Sequence, residues 1–182
     1  MSDETTTPEE AMEEAAAEAV PALPEDPVLA SIGRAAPGAA FGVSPAGIDT
    51  VHVPHDAYAA AVAAARDAGF EMFIDLCAVD HLRRRPERFE VVVQLVSVSM
   101  SRRLAVHAPV SGVDPTLASI TATYPGANFY EREAYDLFGI VFDGHPDLTR
   151  ILLPDDWEGH PLRKDHAVGS VPVQFKASNK VT

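Results

Sequence analysis

The spacing of apolar residues changes along the chain, and each change predicts an element. Residues 49–53 place Val51 and Val53 on one side, as in a short strand. Residues 55–68 are Ala-rich, with Tyr58 and Val62 four apart and Gly69 just beyond, which predicts a helix with a glycine stop. Residues 70–79 read as an apolar strand, and residues 80–88 as a charged loop holding Arg83, Arg84, Arg85 and Pro86. Residues 89–99 have β-branched side chains on both faces, the pattern of a strand central in a sheet. Residues 104–110 form another strand, and the short connection at 100–103 predicts a hairpin between the two.

Further on, Asp114 is a good N-cap with Pro115 at the first helical position, so a helix is expected to about Tyr124, where Pro125–Gly126 ends it. Asn128 is expected to cap a further helix through Phe138, closed by Gly139. A brief extended piece at 140–142 follows. From residue 143 the chain is dense in Gly, Pro, His and Asp, and no regular structure is expected beyond a buried short strand at 150–153. Toward the N-terminus, residues 33–47 read as a loose Gly/Ala/Pro segment, so the first regular element is expected near Asp49. The fold class is α+β: a two-layer domain with a mixed sheet flanked by helices, spanning residues 29–142. An extended C-terminal segment, 143–182, follows it, and a disordered acidic tail, 1–28, precedes it. A nascent helix over 8–20 is expected in that tail, with Pro21, Pro24 and Pro27 preventing a regular one.

Charge sharpens this division. The 182 residues carry a formal charge of −13, but residues 1–30 hold nine acids and no Lys or Arg. The remainder has 18 acids against 14 bases and is only mildly acidic. That balance argues against nucleic-acid binding, which needs a basic face. The Arg83–Arg84–Arg85 run reads first as a solvated loop and second as a contact for an acidic partner surface, with nucleic acid last because no aromatics interleave with it. No apolar stretch approaches the roughly 20 residues of a membrane-spanning helix. The acidic start lacks the basic-then-apolar pattern of a signal peptide. A cytoplasmic protein is expected, meeting the membrane only through partners. The one cysteine, Cys77, follows Leu76 in an apolar run and is expected to be buried. A single thiol can neither form an internal disulfide nor hold an iron–sulfur cluster.

The chemistry-bearing residues concentrate in 131–165, EREAYDLFGIVFDGHPDLTRILLPDDWEGHPLRKD. Arg132 and Asp136 are four apart on the helix and are expected to pair. Gly144–His145–Pro146 recurs as Gly159–His160–Pro161, two corners at which Gly frees the backbone and Pro fixes the residue before it. His145, Asp147, Asp155, Asp156, His160, Asp165 and His166 are all ligand types, yet no HxxxH, HExxH or CxxC spacing joins them. Glu131 and Glu133 are two apart on a helix and cannot face one another as a catalytic pair. There is no GxSxG setting and no glycine-rich phosphate loop. An interaction surface fits better: Trp157, Tyr130 and Tyr135 with Arg132, Arg150 and Arg163 are the residue types that anchor interfaces.

This stretch closely resembles the signature region of the C-type (30 kDa) subunits of NADH–quinone oxidoreductase, respiratory complex I, a family known in mitochondria as the iron–sulfur protein 3 type. The matching positions are Glu131, Arg132, Glu133, Asp136, Phe138, Gly139, Ile140, His145, Pro146, Arg150, Ile151, Leu152, Trp157, Gly159, His160, Pro161, Arg163, Lys164 and Asp165. Two places depart from the pattern. Thr149 stands where many relatives are basic, and His166–Ala167 stand where many continue with an aromatic residue and Pro. The acidic tail lies outside the resemblance. The resemblance implies a scaffold subunit of the peripheral arm of a proton-pumping enzyme, at the cytoplasmic face of the bacterial cell membrane. It implies no catalytic, cofactor or metal residue in this chain. FMN, iron–sulfur clusters, NADH and quinone would be handled by other subunits. The implied partners are the quinone-chamber subunit (D-type), the terminal iron–sulfur subunit (B-type) and other arm subunits. Two alternatives stand beside it. One is the same scaffold in a ferredoxin- or deazaflavin-fed reductase or a membrane-bound hydrogenase. The other is a free-standing metal hydrolase using His145, His160 and nearby Asp residues.

Overall fold

The strongest strand patterns in the sequence form the middle of the fold. In the computed structural model, which describes residues 23–166, β4 (Phe89–Ser97) and β5 (Arg102–Val110) pair antiparallel as a hairpin, from Phe89↔Val110 to Ser97↔Arg102. β3 (Met72–Asp80) flanks β4 antiparallel, with a register irregularity between Phe73 and Asp75. On the other side, β2 (Asp49–His52) runs parallel to β5, and β1 (Ala40–Val43) antiparallel to β2. The order is therefore β1-β2-β5-β4-β3, a mixed five-stranded sheet. Helices α1 (Pro27–Ala35), α2 (Tyr58–Asp67) and α3 (Ala127–Phe138) complete an α+β architecture. No helix among the described residues is long and apolar enough to cross a membrane.

The side-chain alternation of the strands decides where the core lies. Val91, Val93 and Leu95 of β4 and Leu104, Val106 and Ala108 of β5 cluster with Ile32 of α1 and Tyr58, Ala61 and Val62 of α2. Burying each such large aliphatic or aromatic side chain contributes roughly 1.5–3 kcal/mol. Successive residues of a strand point to opposite faces. Glu90 and Gln94 of β4 and Arg103 and His107 of β5 thus fall on the face away from these helices.

Several elements differ from the sequence expectation. The chain is already regular at Pro27, where Asp26 caps α1 by accepting the N–H groups of Val28 at 2.8 Å and Leu29 at 3.4 Å. Pro27 occupies the first turn, where its missing N–H costs nothing. Asp26 also meets Arg102 Nη1 at 2.7 Å, so this acid is anchored on the sheet. The segment expected to be loose at 33–47 holds the end of α1 and all of β1. The helix expected from Asp114 is absent. Residues Thr116–Ala118 form β6, which pairs in parallel with β7 (Val141–Asp143) as a second, two-stranded sheet. A partner about 25 residues downstream outweighs the local Asp-Pro capping signal. Asn128 does not cap α3, which begins at Ala127 behind Gly126 and has no side-chain cap. Gly139 does close it, at φ 72°. Residues 150–153 form no strand. Cys77 is exposed, because on edge strand β3 it opposes Val92 and points away from the core, whereas its neighbour Leu76 opposes Val93 and is buried. The nascent helix expected over 8–20 lies outside the described residues.

Candidate functional site

Helix α3 aims the signature residues in two directions. Glu131 faces inward and is fully buried, while Glu133 is exposed. The Glu131 carboxylate accepts the Ser119 hydroxyl and the Ile120 N–H, both at 2.7 Å. Burial pushes its pKa up, and those two hydrogen bonds offset the rise only in part. It is a structural acid that ties the β6 turn to α3.

One turn later, Asp136 organises the irregular segment. Its carboxylate is 0 % exposed. Oδ1 accepts Arg150 Nη1 at 2.7 Å, and Oδ2 accepts the consecutive N–H groups of Ile151, Leu152 and Leu153 at 3.1, 2.8 and 2.9 Å. Burial alone would raise this acid, but the three N–H groups and the guanidinium hold it below the ordinary carboxylate range. The expected Arg132–Asp136 pair does not form. Arg132 instead donates to the carbonyls of Thr149 at 3.0 Å and Arg150 at 3.1 Å. Two helix side chains thus hold residues 149–153 by their backbone, which explains why that stretch is not a strand.

The two Gly-His-Pro corners are fixed in the same manner. His145 Nε2 donates to the Asn128 carbonyl at 3.2 Å while Nδ1 accepts the Asp147 N–H at 3.0 Å. His160 Nδ1 donates to the Asp136 carbonyl at 2.9 Å. Arg163 Nε donates to the Phe138 carbonyl at 2.6 Å, with its guanidinium over the Phe89 ring. Gly139 makes this docking possible. A Cβ there would stand 2.5 Å from His160 Nε2 and 2.6 Å from Arg163 Nη2. Gly144 and Gly159 both adopt φ 84°, the left-handed region that glycine permits.

The end of the segment is tied to the sheet. Asp80, 3 % exposed at the end of β3, accepts the Lys164 N–H at 2.9 Å and pairs with Arg88 at 2.8 Å. Arg88 then holds Asp165 at 2.6 and 2.8 Å. Burial would raise Asp80, yet the Arg88 and backbone hydrogen bonds bring it down to about 2.

Most signature polar residues therefore act within the chain. Arg132, Arg150 and Arg163, expected as interface anchors, are engaged by the chain's own carbonyls and carboxylate. Among the side chains left outward are three large apolar ones, Ile151 at 38 % exposed, Leu152 at 60 % and Leu162 at 51 %, beside the exposed acids Asp147, Asp155, Asp156 and Glu158. Trp157 is half-buried, with its Nε1 unpartnered. The ligand-type residues of the segment do not converge. Among the described residues, the group able to share an ion is His52, Glu90 and His107, on the sheet. Sequence reading missed it. His52 and His107 become neighbours only through the parallel β2–β5 pairing. The available signal was Glu90, a charge inside a β-branched run.

Known proteins share both the sequence and the fold. Residues 51–171 match the family described as respiratory-chain NADH dehydrogenase, 30 kDa subunit. The chain belongs to this family. The C subunit of NADH-quinone oxidoreductase from Roseiflexus castenholzii is 44 % identical over 158 residues, covering 85 % of this chain and 90 % of that one. The C subunit from Salinispora arenicola is 53 % identical over 109 residues, 60 % of this chain. The match spans 44 % of that longer relative. Among solved structures, a trypsin-resistant fragment of Nqo5 superposes with a TM-score of 0.57 at 34 % identity, covering 77 % of this chain and 98 % of the fragment. A chain of the archaeal membrane-bound sulfane sulfur reductase shares the fold, with a TM-score of 0.66 at 23 % identity over 81 % of this chain and 92 % of that one.

Proposed function

We propose that this chain is a structural and assembly subunit in the peripheral arm of a proton-pumping NADH–quinone oxidoreductase. In this role it positions neighbours and carries no redox group. Its one cysteine, exposed on an edge strand, cannot supply the several thiolates an iron–sulfur cluster needs. FMN, the clusters, NADH and quinone belong to other subunits. The partners are the quinone-chamber subunit (D-type) and the terminal iron–sulfur subunit (B-type), at the cytoplasmic face of the bacterial cell membrane. The names of the relatives support the reading at the level of the complex.

The observation that carries it is the Asp136 cradle. Ordering a segment without helix or strand costs about 1–2 kcal/mol per residue in backbone entropy. Here a fully buried carboxylate and two arginines fix such a segment, and Ile151, Leu152 and Leu162 are left toward solvent. Apolar side chains on a rigid, irregular ledge suit a permanent partner surface. Affinity purification of the tagged chain from native membranes, with mass spectrometry of what accompanies it, tests the role. Recovery with the subunits of an NADH–quinone oxidoreductase is expected. Recovery of the chain alone would contradict it.

A further inference from the structure

The sheet face away from the helices bears a cluster that the signature segment does not use. His52 of β2 and His107 of β5 are register partners, and their rings stack at 4.4 Å between centroids. Glu90 of β4 lies beside them, with Oε1 3.3 Å from His107 Nδ1 and 3.9 Å from His52 Nδ1. Its other oxygen, Oε2, meets His81 Nε2 at 3.0 Å. The His107 Nδ1 atom is buried and makes no hydrogen bond, so the close carboxylate is not aligned to satisfy it. A cleft of about 330 Å³ opens over these residues.

We propose that His52, Glu90 and His107 form a binding site for a divalent transition-metal ion, zinc(II) being the best match. Two imidazole nitrogens and one carboxylate oxygen suit zinc far better than magnesium or calcium, which prefer all-oxygen sets. One potential ligand atom from each residue lies within 4.8 Å of the others. Zinc sits about 2.0–2.1 Å from each ligand, which places ligand atoms roughly 3.3 Å apart in a tetrahedron. The stacked rings point their in-plane lone pairs nearly parallel, so one imidazole must rotate out of the stack for both nitrogens to face a single ion, and the half-exposed His52 is the ring free to do so. His81 holds the carboxylate from behind through Oε2, and Oε1 is the oxygen turned toward the two imidazoles. The exposed side of His52 leaves a fourth position open to water or another ligand.

Arg85 is the competitor. Its Nη1 meets Glu90 Oε1 at 3.0 Å, so a cation already occupies the oxygen a metal would take. The Arg85 side chain is half exposed and stands in the loop between β3 and β4, so it can swing into solvent. The ion would then replace one positive charge with two at the same carboxylate.

Calorimetric titration of the full chain with zinc chloride, with cobalt(II) absorption as a spectroscopic check, tests this. One zinc per chain is expected, with a tetrahedral cobalt spectrum. His52→Ala should weaken binding at least tenfold, while His55→Ala, removing a histidine bonded elsewhere at Thr116, should not. Arg85→Ala should tighten binding, which a nonspecific surface histidine site would not do. His52 is exposed, so its variant remains informative even if His107→Ala fails to fold. No saturable binding, equal affinity in His52→Ala, or weaker binding in Arg85→Ala would each overturn the site.

Discussion

Asp80 at the end of β3 accepts the backbone N–H of Lys164 at 2.9 Å, across 84 positions of sequence. With the Asp136 cradle at residues 150–153, this contact ties the irregular segment to the chain's own helix and sheet at two places.

Asp80 gives that contact a pH dependence. Its pKa falls from 3.8 to about 2 on folding, so the unfolded chain binds more protons between those values. The stabilisation is complete above about pH 4 and is lost as pH falls through about 2. A shift of this size corresponds to about 2 kcal/mol. Urea denaturation from pH 5 to pH 2 should show the decline, and Asp80→Asn should flatten it.

Asp136→Asn should be costly. An amide cannot serve as a charged acceptor for Arg150 and three N–H groups together. Breaking a buried charged network of this kind costs about 3–5 kcal/mol. Hydrogen exchange should show the amides of residues 151–153 losing protection, with β4 and β5 the last to open.

Glu131→Gln should behave in the opposite way. Burial raises the pKa of Glu131, so its contribution to stability declines as pH rises through that raised value. Glutamine keeps an acceptor for the Ile120 N–H and a partner for Ser119 without the buried charge. The variant should be at least as stable as the parent at pH 8 by thermal melting. Glu131→Ala orphans the Ile120 N–H and should cost about 1–3 kcal/mol.

Gly139→Ala should loosen the C-terminal docking. The left-handed backbone alone costs about 1–2 kcal/mol for a residue with a Cβ. The new methyl would also collide with His160 and Arg163. Limited proteolysis should cut the variant after residue 139 sooner than the parent.

The sequence made some of this legible and hid the rest for identifiable reasons. The β4–β5 hairpin was readable because its β-branched runs and short connection are local signals. The Asp-Pro pair misled at Asp114, where β6 finds β7, and was overlooked at Asp26, where it does start a helix. Local chemistry is the same at both sites, and the more distant chain decides. Likewise Arg132 and Asp136 had the right spacing to pair, but residues 149–153 offer each of them more hydrogen bonds than they could give each other. The signature residues were all visible. Their inward use was not, because it depends on a segment without periodicity folding back onto α3.

We propose that this fold-back presents Ile151, Leu152 and Leu162 to partner subunits. Leu152→Asp tests it most directly, since the side chain is 60 % exposed while its N–H is held by Asp136. The measurement is the amount of assembled complex in native membranes, set against the urea stability of the purified chain. The predicted result is a stability change within about 0.5 kcal/mol, as for an ordinary surface substitution, together with a marked loss of assembled complex. Full assembly with the aspartate in place would mean that Leu152 meets no partner subunit.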